Sequence, residues 1–468
     1  MSLFSKLIPD APKALKIIIV GTGKVGSTLA EILTAEGNDV TIIDPNPEVI
    51  EDITTLLDVR GIVGNGSSYS TLIEAGIEDA NLIIAVTNSD ELNLLCCTLA
   101  KKVGNCSSIA RVRNPDYHDE LNYLRDRLGI SMIINPELEA AKEIARILHF
   151  PSAISVNSFA KGSVDMIKFR IPKGNVLAGM NLSDLQYKKD FNLLVCVVER
   201  ANQLIIPNGN FRLRADDVVS FISSPKDAYT FFKKIKLECR RINSAMIIGG
   251  GKTSFYLAKD LVHSGISVKI IESSAERCAQ LSQLLPNSVV IVNGNGGDEA
   301  LLKQENIQQT GAFIPLTGLD EENILLSLYA MHTAPETKAV TKVNHINFAN
   351  VITSLSLGSV VYPRHLTAEM ILTYVRAKMN SIDSNIETLY RLFDDRVEGI
   401  EFKIDAASPY IGIPLKRMHL KDNLLIACIS RRGRALIPGG DDYFMADDAV
   451  IIVTTHSGFD NIEDIFAR

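Results

Sequence analysis

The stretch from Lys16 to Asp44, KIIIVGTGKVGSTLAEILTAEGNDVTIID, limits what this chain can fold into more than any other. The β-branched run Ile17 to Val20 reads as a buried strand and flows directly into Gly21, Gly23 and Gly26. Apolar residues at Val25, Leu29, Ile32 and Leu33 then follow helical spacing, with Ile32 and Leu33 set against a sheet. Gly37 and Asn38 stop the helix, and a second strand runs from Val40 to Asp44. Each glycine has its own task in such a strand, turn and helix. The first permits the turn, the second lets a pyrophosphate approach the backbone, and the third lets helix and strand pack closely. The helix N-terminus points its free N–H groups at the phosphates. Asp44 lies 18 residues past Gly26, near the usual spacing of about 20 for the acid that accepts the ribose hydroxyls. A carboxylate there repels a 2′-phosphate, so the spacing predicts NAD(H) over NADP(H).

At 468 residues the chain exceeds one hydrophobic core and suggests about three or four units. A net charge of −7 with a pI near 5.7 argues against a nucleic-acid binder, whose footprint is basic. No apolar run reaches the roughly 18 residues needed to cross a bilayer, so direct membrane insertion is not expected. Met1 to Leu15, an N-terminal extension, has no continuous apolar core of a secretory signal. Seven scattered cysteines without a C-x-x-C pair suit a reducing cytoplasm, and adjacent Cys96 and Cys97 on one helix imply that at least one is a small buried hydrophobe.

After Asp44, helices through Val49, Ile53 and Leu56 and through Leu72 and Ile73 alternate with strands ending at Val63 and spanning Leu82 to Val86. Ser89 or Asp90 caps the next helix, and Ser108 to Arg113 forms a strand carrying Arg111 and Arg113. Such alternation predicts an α/β fold, a parallel sheet with helices on both faces. Residues 158–224 change character: alternation at Met166 to Ile171, the run Leu193 to Val198 and the stretch Asp217 to Ser223 read as strands broken by glycines. This is a small β-rich domain, followed by a charged helix over Lys226 to Arg240 that leads away from it.

From Ala245 the plan starts again. Gly249, Gly250 and Gly251 follow a strand, and Gly21 and Gly249 are 228 apart, as are Asp44 and Glu272. Gly64-Asn65-Gly66 recurs as Gly294-Asn295-Gly296, and Thr87, Asp90 and Asn93 recur as Thr317, Asp320 and Asn323. Arg111-Val112 corresponds to Lys342-Val343, while Pro207, Gly209 and Ala215 to Asp217 recur as Pro438, Gly440 and Ala446 to Asp448. A period near 230 is too long for a solenoid and marks a tandem duplication of a two-domain unit. The expected domains are 16–150 and 243–385, Rossmann-like, and 155–225 and 394–468, β-rich, with 226–242 as a linker helix. In the second copy Ser254 holds the third glycine position, so close helix–strand packing is less assured, and Gly250 replaces Thr22. NAD binding and a degenerate turn both stay open there. A P-loop is excluded because it needs glycine at position 246, which is Met246.

Catalytic and metal residues are not evident. The eight histidines form no constellation, and there is no H-E-x-x-H, G-x-S-x-G or Cys/His cluster. The β-rich units are small for the substrate pocket of a dehydrogenase, and neither terminus has length for a DNA-binding helix-turn-helix. Two nucleotide folds without visible chemistry suggest sensing, against the alternative of an NAD-dependent dehydrogenase with a duplicated cofactor domain.

Several segments carry a resemblance: IIVGTGKVG from Ile18 to Gly26, Asp44, GNGS from Gly64 to Ser67, EAGIEDANLIIAVTNSDELN from Glu74 to Asn93, and ARVRNPDY from Ala110 to Tyr117. With them the chain resembles the TrkA family, peripheral cytoplasmic NAD-binding subunits of the Trk potassium uptake system, built as RCK (or KTN), TrkA-C, RCK, TrkA-C. The resemblance implies a homo-oligomeric ring, of two or four chains, docked beneath a potassium-transporting membrane subunit and gating it. It implies NAD(H), with ATP or ADP as further candidates, on Gly21, Thr22, Gly23, Lys24, Val25 and Gly26. Asp44 would hold the ribose, Asn65 and Gly66 would sit by the adenine, Arg111 would reach toward phosphate from the end of its strand, and Thr87 is a further candidate. The second-copy counterparts are Gly249, Gly250, Gly251, Glu272 and Asn295. The helices after Pro115 and Pro136 would be flexible connections.

Overall fold

Short β-branched runs bounded by glycine turns become strands because both faces of a parallel sheet are covered and favour Val and Ile throughout. In the computed structural model of the chain, the described residues are 14–150, 153–159, 164–187, 192–201, 203–237, 242–344, 355, 357–380, 386–393, 396–459 and 461–467. Most of the expected N-terminal extension therefore lies outside the described residues. The first copy opens with β1 (Lys16–Val20), α1 (Lys24–Ala35), β2 (Asp39–Asp44), α2 (Pro47–Leu56), β3 (Arg60–Val63) and α3 (Tyr69–Glu74). It continues with β4 (Leu82–Ala85), α4 (Asp90–Val103), β5 (Ser107–Arg111), α5 (Leu121–Leu128), β6 (Met132–Ile134) and α6 (Pro136–His149). The sheet order is β3-β2-β1-β4-β5-β6, parallel throughout. That order reverses direction between β1 and β4, and the crevice above their carboxyl ends is where ligands of doubly wound sheets bind.

An antiparallel sheet follows: β7 (Ser155–Phe159), β8 (Val164–Arg170), α7 (Leu182–Tyr187), β9 (Leu193–Arg200), β10 (Gln203–Ile205) and β11 (Val218–Ser223), in order β10-β9-β11-β8-β7. Arg200 makes a bidentate pair with buried Asp217 at 2.7 Å for each bond, and Asp217 also accepts the Arg214 amide at 2.8 Å. The second copy repeats this device with Arg431, Asp448 and the Met445 amide, so the recurring Ala-Asp-Asp triplet is a structural staple. The helix expected over 226–240 is α8 (Pro225–Lys234). Rather than leading away as a linker, it puts Ala228, Phe231 and Phe232 into the core of this domain, where Phe169 meets Phe232 edge-on at 5.3 Å.

The second copy runs β12 (Ser244–Ile248), α9 (Lys252–His263), β13 (Ser267–Glu272), α10 (Ala275–Leu284), β14 (Val290–Asn293), α11 (Glu299–Gln304), β15 (Ala312–Pro315), α12 (Asp320–Thr333), β16 (Lys338–Lys342), β17 (Ser359–Val361) and α13 (Pro363–Asn380). Its parallel sheet has the order β14-β13-β12-β15-β16-β17. β18 (Ile386–Leu392), β19 (Val397–Lys403), β20 (Leu424–Arg431), β21 (Arg434–Leu436) and β22 (Ala449–Thr454) form the second antiparallel sheet, ordered β18-β19-β22-β20-β21.

The chain divides into two compact units that are discontinuous in sequence. One holds both parallel sheets, through Ala145 and Asn243–Leu372; the other holds both antiparallel sheets, Arg146–Ile242 and from Thr373 onward. In the first unit the copies touch through Tyr256 on α9, whose hydroxyl accepts from Asn135 Nδ2 at 3.0 Å and donates to the Arg113 carbonyl at 3.2 Å. In the second unit a shared core joins Phe159, Val164, Met166, Val197 and Ile222 of one sheet to Leu392, Val397, Ile451 and Val453 of the other. Among the described residues no helix is long and apolar enough to cross a membrane, and no cluster of His, Cys, Asp and Glu can hold a metal.

Candidate functional site

The site begins where β1 ends. Gly21 adopts φ +95°, and a Cβ there would stand 2.9 Å from the Thr87 amide nitrogen, so both turn and close approach require glycine. A Cβ on Gly23 would meet nothing within 4 Å, which leaves its backbone open to the crevice. Gly26 is the reverse case: its Cβ would fall 2.0 Å from the Gly21 carbonyl oxygen. The three tasks assigned to the glycines thus correspond to three distinct environments. Helix α1 begins at N-cap Gly23 with no side-chain cap, whereas α2, α4, α8, α10 and α11 are capped by Asn46, Ser89, Ser224, Ser274 and Asp298. First-turn amides without a side-chain acceptor are free to receive an anion.

Asp44, at the end of β2, is held in place by the loop it faces. Its Oδ2 accepts the Thr22 amide at 2.9 Å and the Thr22 hydroxyl at 2.7 Å, and its Oδ1 accepts the Asn46 amide at 3.0 Å. Burial alone would raise this carboxyl, but the bonds from Thr22 and Asn46 outweigh it and hold the group below its ordinary value. Asp44 is therefore ionised and preoriented. Thr22, Gly23, Gly26 and Asp44 come together as the spacing predicts. Val25 is buried, so only its backbone can face the crevice, and the Lys24 side chain lies outside the described residues.

On the other side of the switch point, Thr87 follows β4 and is bound by Asn93 of α4. Asn93 Oδ1 accepts the Thr87 amide at 2.9 Å and hydroxyl at 2.7 Å, while its Nδ2 donates to the Thr87 carbonyl at 3.2 Å and the Arg111 carbonyl at 2.9 Å. Arg111 closes the corner. Its Nη2 donates to the Thr87 carbonyl at 2.6 Å and to Asn88 Oδ1 at 3.2 Å, while its buried Nε has no partner. Burial, with the like charge of Arg113, pulls this guanidinium below its ordinary value. Arg111 is thus neither solvated nor salt-bridged; Arg113, just past the end of β5, forms the ion pairs, 3.7 Å from Asp90 and 3.8 Å from Glu137. Asn65 uses its side chain for its own turn, accepting the Ser67 amide at 3.0 Å, and Gly66 lies so close to Val20 that a Cβ would be 2.2 Å from Val20 Cγ1.

The second turn has the same frame with different parts. Gly249 takes φ +94°, Gly251 faces open space, and α9 also begins without a side-chain cap. Glu272 Oε2 accepts the Gly250 amide at 2.6 Å and Oε1 accepts the Ser274 amide at 2.7 Å. Burial would raise Glu272, yet these bonds and those of Ser273 keep it below its ordinary value. A Cβ on Gly250 would lie 3.2 Å from Glu272 Cγ, so the loss of the threonine makes room for the longer acid. Ser254 corrects the expectation of looser packing: it is fully buried, and its hydroxyl donates to the Gly249 carbonyl at 2.5 Å, turning the contact that forbids a side chain at Gly26 into a bond. Asn295, like Asn65, caps its own turn by accepting the Gly297 amide. Lys342, in place of Arg111, donates to the Leu316 carbonyl at 3.2 Å, and burial lowers its ammonium.

Sequence reasoning did not single out Asn46, Asn88, Arg277 or the pivot role of Asn93. Asn46-Pro47 is a legible helix start, and Thr-x5-Asn recurs at Thr317 and Asn323, where the same bonds form at 2.9 Å. Nothing local marks Arg277, whose Nε donates to the Gly250 carbonyl at 2.7 Å. Ser89 caps α4, and Asp90 instead accepts the amides of Arg113 and Asn114.

Two doubly wound sheets, each with an uncapped glycine turn and a preset acid, and two small antiparallel domains define a tandem duplication of a nucleotide-binding-type domain and a β-rich domain. Models of the TrkA-N domain match residues 17–136 and 245–363, and models of the TrkA-C domain match 166–236 and 400–467. A Trk system potassium uptake protein TrkA of Halomonas elongata is 32% identical over 441 residues, covering 94% of this chain and 95% of the relative. A homolog from Archaeoglobus fulgidus is 33% identical over 454 residues, covering 97% and 100%. The chain belongs to the TrkA family. Among solved structures, the GsuK RCK domain matches with TM-score 0.62 at 16% identity over 95% of this chain and 93% of its own. The GsuK channel bound to NAD matches with TM-score 0.62 at 17% identity over 96% and 78%. These two share the fold.

Proposed function

We propose that the chain is a nucleotide-binding regulatory subunit of a Trk-type potassium transporter, held at the cytoplasmic face of the membrane through a protein partner. The carrying observation is the uncapped N-terminus of α1 above open Gly23, beside an Asp44 already ionised and oriented. The residues fit an adenine dinucleotide or nucleotide. The first-turn amides from Gly23 to Gly26 would hold the diphosphate, Asp44 the ribose hydroxyls, and Arg111, bonded to the Thr87 carbonyl, would add positive charge at the crevice. Bound there, the ligand supplies phosphate charge and a ribose diol to bind against, with its hydride chemistry unused. The GsuK channel bound to NAD, and GsuK bound to ADP with TM-score 0.51, lend support to both ligand types. The names of the curated relatives support the potassium uptake system.

Binding changes a transporter only if the ligand prefers one of two conformations. In this reading, nucleotide at the first turn alters how neighbouring TrkA-N domains meet in a ring of two or four chains, and the membrane subunit follows. Calorimetry with NADH tests the site: Asp44→Ala weakens binding by roughly 1.5 to 3 kcal/mol, the range of a charge-assisted hydrogen bond. Unchanged affinity removes Asp44 from the site. Co-purification with a detergent-solubilised Trk-type membrane subunit tests the partner. Substrate-dependent loss of nicotinamide absorbance would overturn the regulatory reading in favour of a dehydrogenase.

A further inference from the structure

The face of the first antiparallel sheet that meets the second is largely apolar but carries a polar patch. Ser155 of β7 is paired with Lys168 of β8, and Lys168 with Ser220 of β11, so the three side chains share that face. With Asn157, Met166 and Glu199 they line a cleft of about 230 Å3, bordered on its other side by Leu392, Phe393 and Arg396. Lys168 Nζ donates to Glu199 Oε2 at 3.2 Å and lies 4.5 Å from the centre of the Phe393 ring, while Arg396 Nη2 stands 3.8 Å from Glu199 Oε1. The lining therefore sets two cations against one carboxylate.

Ser220 is the telling member. It is 1% exposed, and its hydroxyl has no partner. A buried hydroxyl left unbonded is costly, so a polar group in this cleft would give it the partner it lacks. The fold itself does not need it: in the second copy the pair equivalent to Lys168 and Ser220 is Glu401 and Ile451, where an apolar side chain fills the place of the hydroxyl. Phe393, whose ring covers Lys168, is held at φ 56°, a conformation rarely taken by a bulky residue.

We propose that this cleft binds a compact oxyanion, a small metabolite bearing a carboxylate or phosphate group, with its oxygens received by Lys168, Arg396 and the Ser220 hydroxyl. Its volume is below that of sites for larger organic ligands. Because strands of the first copy and a hairpin of the second both contribute, the occupant ties the two antiparallel domains together.

Titration calorimetry of the full chain with potassium phosphate and with potassium succinate, at fixed ionic strength, decides the matter. Saturable binding of at least one is expected, weakened about tenfold or more by Lys168→Met and severalfold by Ser220→Ala. Binding of phosphate alone assigns a phosphate-bearing ligand, and binding of succinate alone a carboxylate. Circular-dichroism melting checks that each variant folds; if Lys168→Met does not, Ser220→Ala carries the decision. Absence of saturable binding by either anion at millimolar concentration overturns the proposal. So does phosphate binding that the folded variants leave unchanged, since that binding belongs to the glycine turns.

Discussion

Thr22 with Asp44, and Gly250 with Glu272, are each a matched set. The threonine hydroxyl and amide together seize the shorter acid, whereas the bare glycine amide receives the longer one. Asp44→Glu alone is therefore expected to push its extra methylene into Thr22 and to weaken NADH binding by calorimetry, while the double change Thr22→Gly with Asp44→Glu recovers much of the loss. Additive losses in the double variant would show that the two positions act independently. Much of this was legible: glycine spacing and the distance to the acid follow from what a tight turn and a ribose require. What could not be read was the counter-adjustment, since Gly250 and Ser254 look like erosion of a motif until the Glu272 and Gly249 atoms they touch are known. Two adjacent cysteines on one helix imply that at least one is buried, and both Cys96 and Cys97 are. Burial pushes the Cys96 thiol up to about 12.

At the scale of elements, the buried amide of Asn93 ties the loop after β4 to α4 and β5, alongside the bonds from Arg111. Asn93 satisfies both backbone groups of Thr87 and the carbonyl of Arg111. Asn93→Ala strands the Thr87 amide, while the Thr87 carbonyl keeps its bond from Arg111, and is expected to cost about 1 to 3 kcal/mol, read as a lower denaturant midpoint with unchanged slope. A loss below a few tenths would mean that water or a neighbour replaces the amide. The repeat exposed Thr87, Asp90 and Asn93 as a set, but repetition cannot distinguish a ligand contact from an internal staple, and the structure shows the staple. Strand positions were easy because four β-branched residues in a row, Ile17 to Val20, running into a glycine turn have few other outcomes. Amphipathic helices were harder at their margins: Leu56, counted in the apolar spacing of α2, is 81% exposed, and α8 is core where its charge suggested a helix leading away.

For the whole molecule, duplication has made each half the partner of the other. Phe159, Met166, Val197 and Ile222 are covered by Leu392, Val397, Ile451 and Val453. Residues 1–242 expressed alone leave that apolar face uncovered and are expected to self-associate, seen by light scattering after size exclusion. A monodisperse monomer would rule this out. The period near 230 announced the duplication plainly, whereas the pairing of like sheet with like sheet depends on contacts between residues more than two hundred positions apart. Fusion also frees the pair from a rule that binds assemblies of identical chains, in which every substitution is written twice. Ser220 can stand opposite an isoleucine at the equivalent place, and a threonine opposite a glycine, because one gene spells the two positions separately. Selection can therefore retune one of the twin sites without touching its sibling.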